Sequence, residues 1–174
     1  MGVRRVVTGH TPEGKAIIAS DTAVDSIPVG ARGSSTTLVW GRDDVAEFPD
    51  DGSQPARETV FPPPGGCAIA VLEIAPHSDE FDEFVRTALA PWADPDAPGM
   101  HRTATIDYDV VLEGIVGLQV DDGVVVTLRA GDIVVQNGTT HRWLNQGDSL
   151  ARILAVTIGA KSSLPSGPTS DPPS

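Results

Sequence analysis

Apolar and polar residues alternate over short stretches of this chain, and the alternation predicts β-strands. Successive side chains of a strand point to opposite faces of a sheet, so every second residue lines the same face. The stretch 67–74 is apolar on both faces, which is typical of a strand in the centre of a sheet. The stretch 152–158 is apolar and β-branched and predicts a closing strand.

Turn sequences between these stretches predict two hairpins. The first spans 3–19 around Thr11-Pro12-Glu13-Gly14, a favourable turn. The second joins 115–120 to 124–128 through an Asp-Asp-Gly turn. Residues 21–34 are predicted to form a loop. In total about ten short strands separated by turns predict an all-β sandwich or barrel.

One segment, 77–90, predicts a short helix. Ser78 can cap its first turn, and Pro91 ends it. Its apolar stripe at helical spacing favours core packing, with a lid over a pocket as the alternative; the stripe is formed by Phe81, Phe84, Val85 and Ala88. The tail from residue 161 is rich in Ser, Pro and Gly and predicts disorder.

Composition narrows the class of protein. The chain has 174 residues, which suits one domain with a sizeable core. A net charge of −12 disfavours nucleic acid and anionic membranes as partners. The single cysteine, Cys67, excludes an internal disulfide and fits a reducing compartment. No stretch has the features of a signal peptide or approaches the roughly 20 apolar residues of a membrane span, so we expect a soluble, cytoplasmic protein.

Candidate chemistry is concentrated between Met100 and Asn145. Polar side chains alternate on one face of a first predicted strand: His101, Thr103, Thr105, Asp107 and Asp109. A second strand presents His141, Trp143 and Asn145 on one face. Two strands that direct imidazoles and carboxylates inward can form a site inside a barrel.

These residues resemble the two sequence motifs of the cupin superfamily. The first motif is His-x-His, three or four residues, Glu, six residues and Gly, and its positions are held here by His101, Thr103, Asp107 and Gly114. The second motif is matched by Gly131, Gln136, Gly138, His141 and Asn145, with Gln136 in place of a proline. The resemblance covers roughly residues 60 to 160. Thr103 replaces the second His and Asp107 replaces the Glu, so this chain departs from the motif at two ligand positions.

The resemblance implies a double-stranded β-helix, or jelly-roll, barrel over residues 59–160. Residues 1–58 would then supply N-terminal strands and loops that pack on the barrel and extend one sheet, and residues 161–174 a tail. Because cupins often dimerise by exchanging such strands, the resemblance also implies a homodimer.

Two imidazoles and one carboxylate suggest a metal site. If His101, Asp107 and His141 converge, they form a facial triad of the kind that suits Fe(II), while Zn, Mn or Ni use the same ligand types. Asp107 is shorter than Glu, so a general base is its alternative role. Asp107 and His141 are the candidate catalytic residues. The alternative is a barrel without a metal, in which both histidines are hydrogen-bonded pocket residues.

The remaining inward residues are candidates for the substrate pocket: Thr103, Thr105, Asp109, Trp143 and Asn145. Trp143 can form a wall for a flat or apolar substrate, or it can fill the core. We expect a small-molecule enzyme, with a metal-dependent lyase (dehydratase or decarboxylase), isomerase or cyclase first. Its substrate would be a small organic acid, phenol or polyketide-like compound. The alternatives are an Fe(II)-type dioxygenase and a cupin that binds a ligand without turnover.

Overall fold

The computed structural model describes residues 2–29, 33–78, 83, 87, 92–94, 97 and 99–164. Eleven strands occur in this part of the chain. They are β1 (Val3–His10), β2 (Ala16–Val24), β3 (Ile27–Pro28), β4 (Ser35–Arg42), β5 (Cys67–Ile74), β6 (Thr105–Glu113), β7 (Ile115–Val120), β8 (Val125–Arg129), β9 (Ile133–Asn137), β10 (His141–Asn145) and β11 (Ala151–Gly159). A 3₁₀ turn at Asp121–Gly123 connects β7 to β8.

The strands form three antiparallel sheets. The largest has six strands in the order β3-β4-β5-β11-β6-β9, the second has the order β10-β7-β8, and β1 pairs with β2 alone. One apolar cluster joins the first two sheets and consists of Ile74, Val111, Val116, Ala151 and Ile153, with Leu72, Leu128 and Trp143 packed against it. Because this cluster draws side chains from both sheets, the sheets face each other. The predicted all-β double-stranded β-helix is confirmed.

Several predicted elements occur where the sequence placed them. β5 has the predicted bounds, and it lies between β4 and β11 as a central strand should. The β7–β8 hairpin turns through Asp122 and Gly123, whose φ angles are 58° and 72°. Two successive positive φ angles are typical of a tight hairpin turn, which explains the Asp-Gly pair.

The N-terminal region differs in part from the prediction. β4 and β3 do extend the six-stranded sheet, but the β1–β2 hairpin forms a sheet of its own. β2 continues to Val24, and Ile27–Pro28 pairs with β4, so two parts of the predicted loop 21–34 are strand. Period-two alternation predicts a strand, but it does not show which sheet the strand joins.

The predicted helix 77–90 falls mostly outside the described residues. Glu83 and Thr87 are helical, and the Thr87 hydroxyl donates to the Glu83 carbonyl at 3.0 Å. Residues 165–174 of the predicted tail also lie outside. In the described part of the chain, no helix combines the length and apolar character needed to cross a membrane.

The core predicts a strong dependence on Ile153. This side chain is 0% exposed on the inner face of β11, so Ile153→Ala should lower the free energy of unfolding by about 3 kcal/mol through lost burial and a cavity. Ile158→Ala is the matched control, since Ile158 is 38% exposed on the other face of the same strand. Ile158→Ala should lower the free energy of unfolding, measured by urea denaturation, by about 1 kcal/mol or less. Equal costs for both variants would contradict the assignment of the two faces.

Candidate functional site

The inner face of β6 carries the polar residues that the alternation predicted. Asp107 and Asp109 are 7% and 3% exposed, and Thr105 is buried with them. Tyr108, between the two carboxyl groups in sequence, is 43% exposed. The predicted parity of this strand is therefore confirmed, and two carboxyl groups lie inside the barrel.

The sheet register surrounds the two carboxyl groups with different neighbours. Asp107 lies between Thr157 of β11 and Gln136 of β9, whereas Asp109 lies between Ala155 and Val134. Cross-strand partners share a face and contact one another. Asp107 therefore has polar neighbours, and Asp109 has apolar ones.

These surroundings change the acidity of both groups. Desolvation, with a further contribution from the charge of Asp107, raises the pKa of Asp109 to about 7. Desolvation also raises the pKa of Asp107, and the Thr105 hydroxyl opposes this rise. One oxygen of Asp107, Oδ1, is buried and has no hydrogen-bond partner among the residues that the structure describes. An unpaired buried acceptor costs about 1–3 kcal/mol, which is a reason to expect a bound molecule to supply the partner.

The two histidines are direct neighbours. The backbone N–H of each donates to the carbonyl of the other, at 2.9 and 3.0 Å, and their ring centroids are 4.5 Å apart. Nδ1 of His101 lies 3.2 Å from the Gly99 carbonyl oxygen. Nδ1 of His141 lies 2.9 Å from Nε2 of Gln136 and 3.0 Å from the Thr139 carbonyl oxygen.

Burial keeps both imidazoles neutral. Desolvation lowers the pKa of His101, and desolvation together with the charge of His101 lowers the pKa of His141 to about 4. Near pH 7 the pair therefore offers hydrogen-bonding groups without positive charge.

The three residues implied as metal ligands do not come together. Among the residues that the structure describes, no group of three or more His, Cys, Asp or Glu could hold a metal ion. Register supplies the reason: Gln136 is the cross-strand neighbour of Asp107, and its amide, rather than the carboxylate, contacts the His141 ring. Two imidazoles without Asp107 do not fit a facial triad.

The other predicted pocket residues have mixed surroundings. Trp143 packs on the apolar cluster inside the barrel, with its ring 6.3 Å from that of His141. Thr103 and Thr105 share a hydrogen bond of 2.7 Å and line a cavity of about 320 Å³ beside Asn137 and Gly138. The Asn145 amide donates to the carbonyls of Ile74 and Ser149 and accepts from the Gly147 N–H, which indicates a structural role.

Gln136 is the site residue that the sequence reasoning missed. It is 2% exposed and contacts the His141 ring. The available signal was its place in the second motif, where a polar side chain stands in the position of a proline. Pairing with Asp107 could not be read from that motif, because register between β6 and β9 is not visible in either strand alone.

Comparison with known proteins found relatives in fungi, while no family model matches. Phomopsin biosynthesis cluster protein C' of Diaporthe leptostromiformis is 26% identical over 170 residues, which cover 90% of this chain and 78% of that protein. Protein D of the same cluster is 33% identical over 99 residues, or 56% of this chain and 43% of that protein. The cupin-domain-containing oxidoreductase virC of Hypocrea virens is 26% identical over 171 residues, 92% of this chain and 79% of that protein.

A solved structure, that of an ethanolamine utilization protein Q from Salmonella typhimurium, matches with a TM-score of 0.43 and 14% identity over 92% of this chain and 99% of that one. Three observations define a cupin-type barrel. The chain has the two motifs, its antiparallel sheets face each other with polar residues on the inner faces of the motif strands, and it has cupin-domain relatives. In sequence the chain is similar to cupin-domain-containing proteins, and its fold is the double-stranded β-helix that the two motifs imply.

The buried Asp109 predicts a pH-dependent effect on stability. Its carboxyl group has a pKa of about 7 in the folded chain against an ordinary value of 3.8, a gap equivalent to roughly 4 kcal/mol. A raised folded pKa means that stability is fully present below pH 3.8 and is lost as pH rises through about 7. Asp109→Asn is neutral at every pH, so its stability relative to wild type should rise by about 2–3 kcal/mol between pH 5 and pH 8 in urea denaturation.

An exposed carboxylate provides the control for that measurement. Asp148 is exposed in the turn after β10, and Asp148→Asn should stay within about 0.5 kcal/mol of wild type at both pH values. A gain for Asp109→Asn that is the same at pH 5 and pH 8 would show that burial does not shift this carboxyl group.

Proposed function

We propose that this chain is a small-molecule enzyme that transfers protons inside its barrel, as an isomerase, a dehydratase or a related lyase. The observation that carries the proposal is the pair of buried carboxyl groups, Asp107 and Asp109, on one face of β6. Relatives named for phomopsin biosynthesis and as cupin-domain-containing oxidoreductases support a small-molecule enzyme of the cupin type. The substrate class that the sequence suggested, a small organic acid, phenol or polyketide-like compound, remains part of the proposal.

The two carboxyl groups have different roles because their surroundings differ. The charge of Asp107 contributes to the raised pKa of Asp109, so the pair holds one proton over a range of pH near neutrality. Asp107 is then the carboxylate and general base, and Asp109 is the carboxyl and general acid. The unpartnered Oδ1 of Asp107 is the atom that receives the substrate proton.

The proposed step balances without an oxidant. Oδ1 of Asp107 removes a proton from a carbon next to a substrate carbonyl, and the electron pair of that C–H bond forms a carbon–carbon double bond. In a dehydration, the β-hydroxyl leaves with the Asp109 proton as water. In an isomerisation, the π electrons of the carbonyl move onto its oxygen to give an enolate, and Asp107 returns the proton to a different atom of the substrate, which restores the starting state. After a dehydration, Asp107 holds the extra proton, and its movement to Asp109 restores the starting state.

The histidines and Trp143 orient the substrate in this proposal. A neutral imidazole N–H polarises the substrate carbonyl through a hydrogen bond, and neither ring adds a charge that would lower the pKa of the acid. Trp143 lies on the same strand as His141 and contributes an apolar wall. Because an apolar wall excludes water, it strengthens the electrostatic contacts between the substrate and the site.

Metal dependence, which the cupin motifs imply, is not needed for this step. Among the described residues, Asp107 does not form a metal-ligand group with the two imidazoles. We therefore assign no step to a divalent Fe, Zn, Mn or Ni ion. An oxidoreductase is the second candidate, because the relative virC carries that name. Such an activity requires an electron acceptor, whereas proton transfer does not.

The base role of Asp107 predicts a loss of hydrogen exchange. Wild-type protein incubated in D₂O with a panel of β-hydroxy ketones and phenolic ketones should incorporate deuterium or eliminate water, as read by mass spectrometry. Asp107→Asn should reduce the rate by at least about 100-fold, the size of effect expected for a lost general base. Asp148→Asn should retain the wild-type rate. Turnover that occurs only with an added electron acceptor would favour the oxidoreductase, and binding without turnover would favour a ligand-binding cupin.

The acid role of Asp109 predicts a bell-shaped pH profile. The active form has Asp107 ionised and Asp109 protonated, so kcat/KM should fall as pH rises through about 7, the pKa of Asp109. On the acid side kcat/KM should fall as Asp107 takes up its proton. In Asp109→Asn the alkaline decline should be absent and the residual rate low. An unchanged alkaline decline in that variant would assign it to another group.

A further inference from the structure

Gln136 has a buried amide with three polar contacts. It is 2% exposed on the inner face of β9. Its Oε1 accepts from the Thr139 N–H at 3.1 Å. Its Nε2 lies 2.9 Å from Nδ1 of His141 and 3.5 Å from the Thr139 carbonyl oxygen. The three contacts connect Gln136 of β9 to Thr139 in the following turn and to His141, the first residue of β10.

The backbone fixes which way this amide faces. The Thr139 N–H is always a donor, so the atom that faces it must be the amide oxygen. Rotating the amide by half a turn would place an NH₂ group against that N–H and leave two donors opposed. Nε2 is therefore the atom beside His141.

The amide in turn fixes the proton on His141. Nε2 of Gln136 only donates, so Nδ1 of His141 accepts in this contact, and the ring carries its proton on Nε2. The Thr139 carbonyl, 3.0 Å from the same Nδ1, favours the opposite tautomer. In that tautomer the Nδ1–H of His141 and the Nε2–H of Gln136, both donors, would face each other at 2.9 Å. The Thr139 carbonyl does not need the His141 proton, because it already accepts the second amide hydrogen of Gln136 at 3.5 Å.

His101 has the opposite arrangement. Its Nδ1 faces the Gly99 carbonyl, which only accepts, so Nδ1 carries the proton and Nε2 keeps a lone pair. No described residue hydrogen-bonds Nε2 of either ring. The two neighbouring imidazoles therefore present one N–H donor and one acceptor.

We propose that Gln136 is a positioning residue that holds His141 in the Nε2–H tautomer, so that the histidine pair recognises a neutral hydroxyl or enol group. A hydroxyl both donates and accepts, and it matches one donor and one acceptor. A metal ion needs a lone pair on each ring, which this arrangement withholds. The assignment of that hydroxyl to a substrate rests on the proposed function, but the tautomer is a property of the resting protein.

The test reads the tautomer directly by ¹⁵N NMR of the imidazoles, with signals assigned from single His→Gln variants. Wild type should show His141 protonated on Nε2 and His101 on Nδ1. In Gln136→Met no amide faces the ring, so His141 should switch to Nδ1–H, donating to Thr139. Gln136→Glu should cause the same switch, because a carboxylate accepts from Nδ1–H. Gln119→Glu is the matched control, since Gln119 accepts from Arg142 at 2.9 Å on the neighbouring strand and should leave the tautomer unchanged.

A cobalt titration gives a second readout on the same proteins. Gln136→Glu frees a lone pair on both Nε2 atoms, so its affinity for Co²⁺ should exceed that of wild type by at least about tenfold. An Nδ1–H tautomer of His141 in wild type, or an unchanged tautomer in Gln136→Met, would overturn the proposal. Tight Co²⁺ binding by wild type through His141 would also overturn it. Failure of the proton-transfer activity with the expected tautomers would reject the proposed function alone.

Discussion

Burial of two carboxyl groups on one strand is the constraint on which the arrangement of the barrel interior depends. Asp107 and Asp109 lie two residues apart on one face, and water reaches neither freely. Two ionised carboxylates so close together in an apolar interior repel strongly, and each also loses its hydration. The chain accommodates them through the raised pKa of Asp109, which favours its neutral form, and through polar neighbours for Asp107. Further along the same face of β6, Val111 belongs to the apolar cluster, so the interior has a polar end and an apolar end.

Neutral imidazoles are the counterpart of this acid pair. Charged histidines in the same interior would stabilise both carboxylates and remove the proton that distinguishes them. Desolvation prevents that by lowering the pKa of both rings, and the Gln136 amide occupies a ring nitrogen that would otherwise be available to other partners. Burial raises the pKa of the carboxyl groups and lowers the pKa of the imidazoles. Carboxyl groups and neutral imidazoles can therefore coexist in one barrel.

Local sequence predicted local structure well here. The bounds of β5, the β7–β8 hairpin and the alternation that buries Asp107 and exposes Tyr108 all follow from patterns within a single segment. The proposed metal triad depended on distances between segments, and the pairing of β6 with β9 brought Gln136 into the contact expected of Asp107. Spacing identifies the face a side chain occupies, whereas register decides its neighbour. The homodimer, the cytoplasmic location and the absence of nucleic-acid and membrane partners stay predictions.

The alternation of β6 also limits how this barrel can change over evolution. A one-residue insertion early in the strand would turn Tyr108 and Val110 inward and place both acids in solvent, because side chains repeat every second residue. Such an insertion would remove the acid pair and the packing of Val111 at the same time. Point substitutions at inward positions, by contrast, alter one group and leave the rest in register. New chemistries on this scaffold are therefore accessible through exchanges of single side chains, whereas a change of length within β6 disrupts both the fold and the site.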